Sequence, residues 1–455
     1  MRLQRLLTYV LILSMALPLP GQFGPPRPPS GVAGGSWGFT IFPFSLVLVP
    51  LLIAWAVDYT SRPTDIPRDR RRGTDPVLIA LLCLLGAATV SVIATHADWR
   101  HASMWLWLVG LYVFARYRMP RIIGRSQFAI ALCCVMALLA LVSAAQLVTG
   151  RPVGAVATFF QHEVRSAQVF SGKGGGSLLK RVQGTFFSTD VFAMFLLYVV
   201  LWLIAVGRTV KNRFIMLTLL GSGVLIGATF SRGVWLATLV TVPLIMIVFI
   251  RRRQLALSRL IMLGFALFFA VALAFVFAAG TIFARVSSSQ VARSAQTRDN
   301  ATQVAICLGE RRPWFGVGYG AMVPRQDQVA GCNPKANDIR AHNIYVQDWA
   351  EQGIFTLLAY LAVGFTMLWE AVRRRRVDDP GNRAMRTAVA FSILAWLIFM
   401  GVYATANDFN VMPIWILLGG YSLTMLDTSR KIVEPLGGSV PFDVAPRRRR
   451  ELAPV

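Results

Sequence analysis

The chain has 455 residues, of which 55% are hydrophobic and only 15% are charged. Soluble domains carry about 25% charged residues, so this composition, with a mean hydropathy of +0.57, excludes an ordinary soluble protein. The formal net charge is +25, which taken alone would suggest nucleic-acid binding. Most of the basic residues, however, lie in short connections between apolar runs, where membrane topology and anionic headgroups explain them better.

Apolar runs long enough to cross a membrane recur along the chain. A hydrocarbon core of about 30 Å needs about 20 apolar residues in a helix. We predict an all-α polytopic membrane protein in which residues 1–428 are one membrane domain and residues 429–455 a disordered cytoplasmic tail. Its twelve predicted transmembrane helices lie at about 4–20, 37–57, 76–95, 102–116, 127–148, 189–207, 213–230, 233–250, 257–282, 347–370, 385–405 and 410–426.

The basic residues predict how these helices are oriented. Every second connection is rich in arginine and lysine, and the positive-inside rule places those connections and both termini in the cytoplasm. The opposite side of the membrane receives short loops and two long ones, at 149–188 and 283–346. The first span follows Arg2 and Arg5 as in a secretory signal, but no Ala-x-Ala cleavage site follows it, so we predict a retained helix.

The two long outer loops differ in pattern. In the first, residues 171–177 are glycine-rich, and the missing P-loop spacing favours a flexible connector over a phosphate cradle. In the second, Ala301, Val304, Ala305 and Leu308 follow helical spacing, which predicts an amphipathic helix lying on the membrane domain. We expect Gly309 and Pro313 to end that helix.

The five cysteines fall into two groups. Cys83, Cys133 and Cys134 lie inside predicted spans, where they are expected to pack as small apolar residues. Cys307 and Cys332 share the large outer loop, where oxidising conditions permit a bridge. We predict a disulfide between these two residues.

Three side chains are candidates for chemistry, each with a simpler alternative. His342 precedes a span at the outer boundary and could take a proton from an alcohol or anchor a hydrogen bond; it could equally be a satisfied interfacial histidine. Arg232 interrupts two apolar runs and is either functional or snorkelling to headgroups. Arg181 could bind a pair of phosphate oxygens, and a surface arginine without such a role fits the pattern as well.

Other charged residues complete the candidate site. Arg311, Arg312 and Arg340 surround the large loop and are expected to steer an anionic substrate. No Asp-x-Asp motif occurs and the outer acids are scattered, so we predict no metal site and no cofactor. His96 and His101 are close in sequence, but no cysteine or clustered acid accompanies them.

Four short motifs, taken in order, resemble those of the O-antigen ligase family, which shares its fold with O-antigen polymerases and protein O-oligosaccharyltransferases. Their order, their sidedness and the count of twelve spans agree with that family over most of the chain. The motifs are Arg181-x-x-Gly184, Ser231-Arg232-Gly233, Arg312-Pro313-Trp314-Phe315-Gly316-Val317-Gly318-Tyr319-Gly320, and Ala341-His342-Asn343-Ile344-Tyr345 followed by Glu351-Gln352-Gly353.

The resemblance implies a periplasmic-face glycosyltransferase. Such an enzyme moves a glycan from a polyprenyl diphosphate carrier onto a hydroxyl, which in the ligase belongs to the lipid A core. The expected catalytic residues are His342, Arg232 and Arg181. The expected partners are the lipid-linked donor, the lipid A core and membrane lipids, without nucleic acid or metal. The predicted substrate-binding residues are Arg340, Asn343, Arg312 and Asp408.

Two other functions compete with this reading. A polymerase or a protein-glycosylating enzyme would carry the same motifs, because acceptor choice is not visible in them. A secondary transporter or lipid flippase would also have twelve spans, but it should carry ionisable residues near the middle of the membrane. The unusual polar groups of this chain collect on one side instead.

Overall fold

The computed structural model describes residues 2–17, 21–23, 39–61, 74–97, 99–149, 184–186, 189–207, 213–229, 231–251, 289–319, 332, 341, 343–373, 380–402 and 411–428. Their regular secondary structure is helical apart from one antiparallel pair of three-residue strands. The strands are β1 (Gly21–Phe23) and β2 (Phe39–Ile41), with Gly21 opposite Ile41. The helices are α1 (Arg2–Ser14), α2 (Pro43–Ser61), α3 (Pro76–Thr95), α4 (Arg100–Tyr117), α5 (Met119–Ile122), α6 (Arg125–Thr149), α7 (Thr189–Val206), α8 (Arg213–Ala228), α9 (Arg232–Arg251), α10 (Ser289–Arg311), α11 (Ile344–Val372), α12 (Pro380–Val402) and α13 (Met412–Thr428).

The described helices confirm a multi-pass helical membrane protein. Six of them are long and apolar enough to cross a membrane, and three more are apolar but shorter. The six are Pro76–Thr95, Arg125–Thr149, Thr189–Val206, Gly233–Arg251, Ile344–Val372 and Gly381–Met400, and the shorter three are Pro43–Asp58, Arg213–Ala228 and Met412–Leu423.

The exact count of twelve spans stays a prediction. The predicted span at 257–282 lies outside the described residues, as does the tail at 429–455. The predicted span at 4–20 is shorter in the structure, because α1 ends at Ser14 after 13 residues. That length corresponds to about 20 Å. The chain then turns ahead of Pro18, which has no N–H to donate to a continuing helix.

One end of the bundle, here called the basic end, gathers arginine-rich connections. The Asp75 carboxylate caps α3 and accepts hydrogen bonds from the hydroxyls of Tyr112, at 3.0 and 3.1 Å, and Tyr117, at 2.9 Å. Arg116 pairs with the same carboxylate at 3.3 Å. Further contacts at this end join Arg118 to Asp58 and Gln4, Arg125 to Asn382, and Tyr421 to the Ile123 carbonyl.

The opposite end, here called the loop end, gathers the connections predicted to face the periplasm. The Gln146 side chain at the end of α6 binds both the N–H and the carbonyl of Gly184. The Ser91 hydroxyl, near the end of α3, donates to the Phe315 carbonyl at 2.8 Å. Further contacts at this end join Thr185 to the Ala16 carbonyl and Tyr345 to the Leu397 carbonyl. The assignment of these two ends to the cytoplasm and the periplasm stays a prediction from the charge pattern.

The predicted helix in the large loop is present, but its end differs from the prediction. Ala301, Val304, Ala305 and Leu308 are buried on one face of α10. The helix does not end at Gly309 and continues to Arg311. The reason is packing: a Cβ atom added at Gly309 would lie 2.7 Å from the ring of Trp349, so glycine here makes room for a neighbouring helix.

We predict that Asp75→Ala lowers the free energy of unfolding by about 3 kcal/mol, because it leaves the buried Arg116 charge without its carboxylate and removes a helix cap. Thermal unfolding of the detergent-solubilised protein measures the effect. Asp58→Ala is the matched control: its carboxylate, at 33% exposure, is the more exposed, so we expect a loss of about 1 kcal/mol or less. Equal unfolding temperatures for the two variants would contradict the prediction.

Candidate functional site

The predicted site residues lie only partly within the described chain. His342, Arg181, Arg340 and Asp408 are outside the described residues, so their side-chain positions stay predictions. Arg232 is described as the first residue of α9, and its side chain is not. Asn343, Arg312, Cys307 and Cys332 are described. The structure does describe residues that are close in sequence to Arg181, Arg232 and His342.

These neighbours lie at one end of the bundle. Gly184, three residues after Arg181, is held at the loop end by Gln146. The turn that contains Arg232 joins α8 to α9. Because Ile215, early in α8, lies against Gly207 at the far end of α7, α8 runs toward the loop end. Asn343, which follows His342, begins α11 at that end too.

The turn before Arg232 is tight and buried. The indole N–H of Trp235 donates to the Ile226 carbonyl at 3.0 Å, and the backbone N–H of the same residue donates to the Ser231 carbonyl at 2.9 Å. Ser231 is buried, and its hydroxyl oxygen has no hydrogen-bond partner within the described chain. Arg232 therefore starts α9 directly after a buried, hydrogen-bonded residue, where the helix dipole also favours negative charge.

Asn343 sets the start of α11. Its side-chain oxygen accepts hydrogen bonds from the N–H groups of Tyr345, at 3.0 Å, and Val346, at 3.4 Å. This is an N-cap, which asparagine favours because its short amide satisfies N–H groups that have no partner inside the helix. The predicted role of Asn343 in substrate binding stays a prediction; in the structure its side chain caps α11 directly after His342.

A glycine inside α11 leaves backbone groups of the helix available to bind the large loop. Gly353 has φ of 80° and ψ of 173°, which interrupts the helix. The carbonyl groups of Ala350 and Glu351 then accept hydrogen bonds from the N–H groups of Val317, at 2.9 Å, and Gly318, at 2.8 Å. The loop returns one bond, because the Ile354 N–H donates to the Pro313 carbonyl at 2.8 Å.

The glycines at this junction are required by close approach. A Cβ atom at Gly353 would collide with the carbonyl group of Trp314, and a Cβ atom at Gly316 would collide with that of Glu351. Both residues also have positive φ, of 80° and 70°, where other residues are strained. The Arg312–Gly320 motif is thus a backbone clamp on α11 over its described part.

Aromatic rings cover the outside of this clamp. The ring of Trp314 stacks on that of Phe355 with centroids 5.6 Å apart, and Phe315 lies 6.2 Å from the same ring. All three side chains are exposed. Tryptophan and other aromatic rings in such positions are typical of the boundary between membrane and water. Arg312 is exposed beside them, which suits its predicted role in attracting an anionic substrate.

The large loop has a small core of its own. The buried face of α10 packs against Val317, Ala341 and Ala350, which ties the loop to α11. Cys307 and Cys332 form the predicted disulfide, with Cα atoms 5.8 Å apart. The bridge joins α10 to the segment that leads toward His342.

Two faces of α11 differ sharply before the break at Gly353. Val346, Trp349 and Ala350 face α10. The other side carries four buried amides and carboxyls, of which Gln347 and Glu351 are each only 1% exposed. The full set is Gln347, Asp348, Glu351 and Gln352.

The hydrogen bonding of this polar face is uneven. The Gln352 amide donates to the Asp348 carboxylate at 3.4 Å. Both polar atoms of the Gln347 side chain lack a hydrogen-bond partner among the residues that the structure describes. Leaving a buried amide unsatisfied costs about 1–3 kcal/mol.

This face was not predicted from the sequence, in which Asp348 and Glu351 count among the scattered outer acids and the two glutamines carry no charge. The signal was present, because polar residues at i, i+1, i+4 and i+5 fall on one side of a helix. Among the described residues, no group of three or more histidine, cysteine or acidic side chains could hold a metal ion.

The fold and these contacts define a multi-pass helical membrane protein whose polar outer loop is clamped onto one transmembrane helix. Residues 214–361, about a third of the chain, match the family model for O-antigen ligase, and this match supports an O-antigen ligase assignment. No curated protein matches the chain significantly. The matched segment holds Arg232, Arg312, Arg340, His342 and Asn343, whereas Arg181 and Asp408 lie outside it.

We predict that Gly353→Ala lowers the free energy of unfolding by about 3 kcal/mol or more, because the new methyl group is strained at positive φ and displaces the loop carbonyl. Limited proteolysis should then cut the 312–319 segment faster. Gly86→Ala is the matched control: nothing lies within 4 Å of a Cβ at Gly86, so that protein should remain as stable as the parent. A protease-resistant Gly353→Ala protein would contradict the clamp.

The disulfide provides a further prediction. Replacing Cys307 and Cys332 by alanine should lower the stability of the loop by about 3 kcal/mol, as expected for a closed loop of 25 residues. Thiol alkylation of the denatured but unreduced parent should label only Cys83, Cys133 and Cys134. Cys83→Ala is the control and should leave loop proteolysis unchanged. Labelling of all five cysteines in the unreduced parent would exclude the bridge.

Proposed function

We propose that the protein transfers a glycan from a polyprenyl diphosphate carrier onto a hydroxyl of the lipid A core, at the periplasmic face of the inner membrane. The family match carries this proposal. It spans both the α8–α9 hairpin with Arg232 and the start of α11 with His342. Similarity of this segment to the O-antigen ligase family implies lipid-linked glycan substrates in a membrane setting.

In the proposed reaction, the acceptor hydroxyl attacks the anomeric carbon of the donor. An oxygen–carbon bond forms to the acceptor, the bond from that carbon to the diphosphate oxygen breaks, and the diphosphate leaves on its lipid. His342 takes or orients the proton of the attacking hydroxyl. Attack from the side opposite the leaving group inverts the configuration at the anomeric carbon.

The leaving diphosphate gains negative charge, which two guanidinium groups could stabilise in a partly dehydrated site. We assign this role to Arg232 and Arg181. The short turn before α9 supports the assignment of Arg232, because it places this residue at the start of that helix, where the helix dipole favours a negatively charged group. Arginines in place of a metal fit a sequence that has no Asp-x-Asp motif.

The clamp supplies what the chemistry needs from the fold. Hydrogen bonds from Val317 and Gly318 to α11 fix the large loop, and the Asn343 cap fixes the backbone after His342. His342 directly precedes this cap in the sequence, which supports its assignment as the group that meets the acceptor hydroxyl. Small displacements of a catalytic group cost large factors in rate.

We predict that His342→Ala, Arg181→Ala and Arg232→Ala each abolish attachment of long-chain glycan to the core, while polyprenyl-linked polymer is retained. Electrophoresis of surface glycolipid and of extracted carrier lipid measures both products. Single repeat units on the core would instead indicate a polymerase, and loss of protein glycans a protein-glycosylating enzyme.

Two controls separate these roles from general effects. Arg383→Ala removes an exposed arginine at the basic end, and His96→Asn replaces an exposed histidine whose positive φ of 50° asparagine tolerates. Both variants should attach glycan normally. Normal attachment in all three site variants would remove the support for this site.

A further inference from the structure

In the first turns of α11, polar residues lie on the side of the main core and apolar residues on the side that faces α10. A helix of a membrane bundle usually turns apolar residues toward the core. The side facing α10, outside the main bundle, is apolar at Val346 and Ala350. The opposite side carries Gln347 and Glu351 next to Ile344, which belongs to the main core. Polar groups turned into a helical bundle are costly and usually have a function.

Gln347 is the member of this face that the fold does not explain. Its side chain is 1% exposed, and neither its amide nitrogen nor its amide oxygen has a hydrogen-bond partner in the described chain. Buried polar groups in folded proteins are almost always hydrogen-bonded. An amide left in this state is a candidate for a partner that arrives from outside the chain.

Gln347 is also close to the proposed base along the helix. The backbone N–H of Gln347 donates to the backbone carbonyl of Asn343 at 3.0 Å, so these two residues are one helical turn apart. His342 directly precedes Asn343 in the sequence. A ligand group bound at this amide therefore lies next to the start of the helix at which the acceptor hydroxyl is proposed to react.

The chemistry of the face favours one class of ligand. A carboxamide donates through its NH₂ group and accepts through its oxygen, which matches adjacent hydroxyl groups that both donate and accept. The neighbouring carboxyls of Asp348 and Glu351 disfavour a diphosphate by like-charge repulsion when ionised. The same carboxyls accept hydrogen bonds from hydroxyls.

We infer that Gln347 binds and positions the hydroxyl groups of a sugar at the proposed glycan-transfer site. This inference rests on the proposed function. The sugar belongs either to the glycan donor or to the acceptor, and the hydrogen-bonding chemistry is the same for both. Because the amide is covered in this structure, the sugar must displace the residues that cover it.

The test uses the full chain in lipid nanodiscs with Gln347→Met, which keeps the length of the side chain and removes both hydrogen-bonding atoms. We expect kcat/KM to fall about tenfold or more, as for the loss of two hydrogen bonds to substrate. The KM for donor rises if the donor sugar is bound, and the KM for acceptor rises if the acceptor is bound. Gln303→Met, on the exposed side of α10, should leave both constants unchanged.

Stability distinguishes a binding residue from a structural one. Without substrate, Gln347→Met should unfold at the same temperature as the parent or at a higher one, because an unsatisfied buried amide has been removed. A structural amide would instead make the variant less stable. A fall in unfolding temperature with KM unchanged for both substrates would overturn the inference.

Substrate-induced thermal shifts separate this inference from the proposed function. The lipid-linked donor or the soluble core oligosaccharide should raise the unfolding temperature of the parent, and one of the two shifts should be lost in Gln347→Met. If neither protein transfers glycan but the shift still depends on Gln347, the proposed function fails and the sugar site stands. Equal shifts in both proteins would overturn the sugar site.

Discussion

The architecture of the outer half depends on one exchange of backbone hydrogen bonds. A helix that enters a membrane must satisfy its own N–H and carbonyl groups, because lipid offers no partners. Gly353 interrupts the backbone hydrogen bonding within α11, and three backbone hydrogen bonds with the loop at 313–318 replace the missing ones. These hydrogen bonds therefore also attach the loop to the helix. Gly316 and Gly353 allow the two backbones to approach so closely, because neither residue has a side chain.

A fixed loop explains how residues far apart in sequence are brought to one end. The long helix α3 is held at its basic end by the Asp75 carboxylate and at its loop end by the bond from Ser91 to Phe315. This helix therefore connects the basic end of the bundle to the loop that is clamped onto α11. The α8–α9 hairpin and the Gln146–Gly184 pair lie at the same loop end, which is consistent with a shared site in the family.

Much of the fold could be predicted from the sequence, because hydropathy and helical spacing are local signals. Apolar runs located the helices, and the spacing at 301–308 located α10. The end of α10 could not be predicted, since the Trp349 ring that occupies the space at Gly309 comes from another helix. The cysteine pair was predictable from its shared loop. The break at Gly353 and the strands β1 and β2 depend on partners distant in sequence. The polar face of α11 could have been predicted from the spacing of its residues, but only if a helix is assumed first, because these residues are not all consecutive in the sequence.

The bridge between Cys307 and Cys332 has a consequence for biogenesis. Disulfides form and persist in oxidising compartments, so these thiols can be linked only once the loop has left the reducing cytosol. If the loop faces the periplasm as proposed, a newly inserted chain still carries two free thiols there, and its loop is fully secured only after they are oxidised.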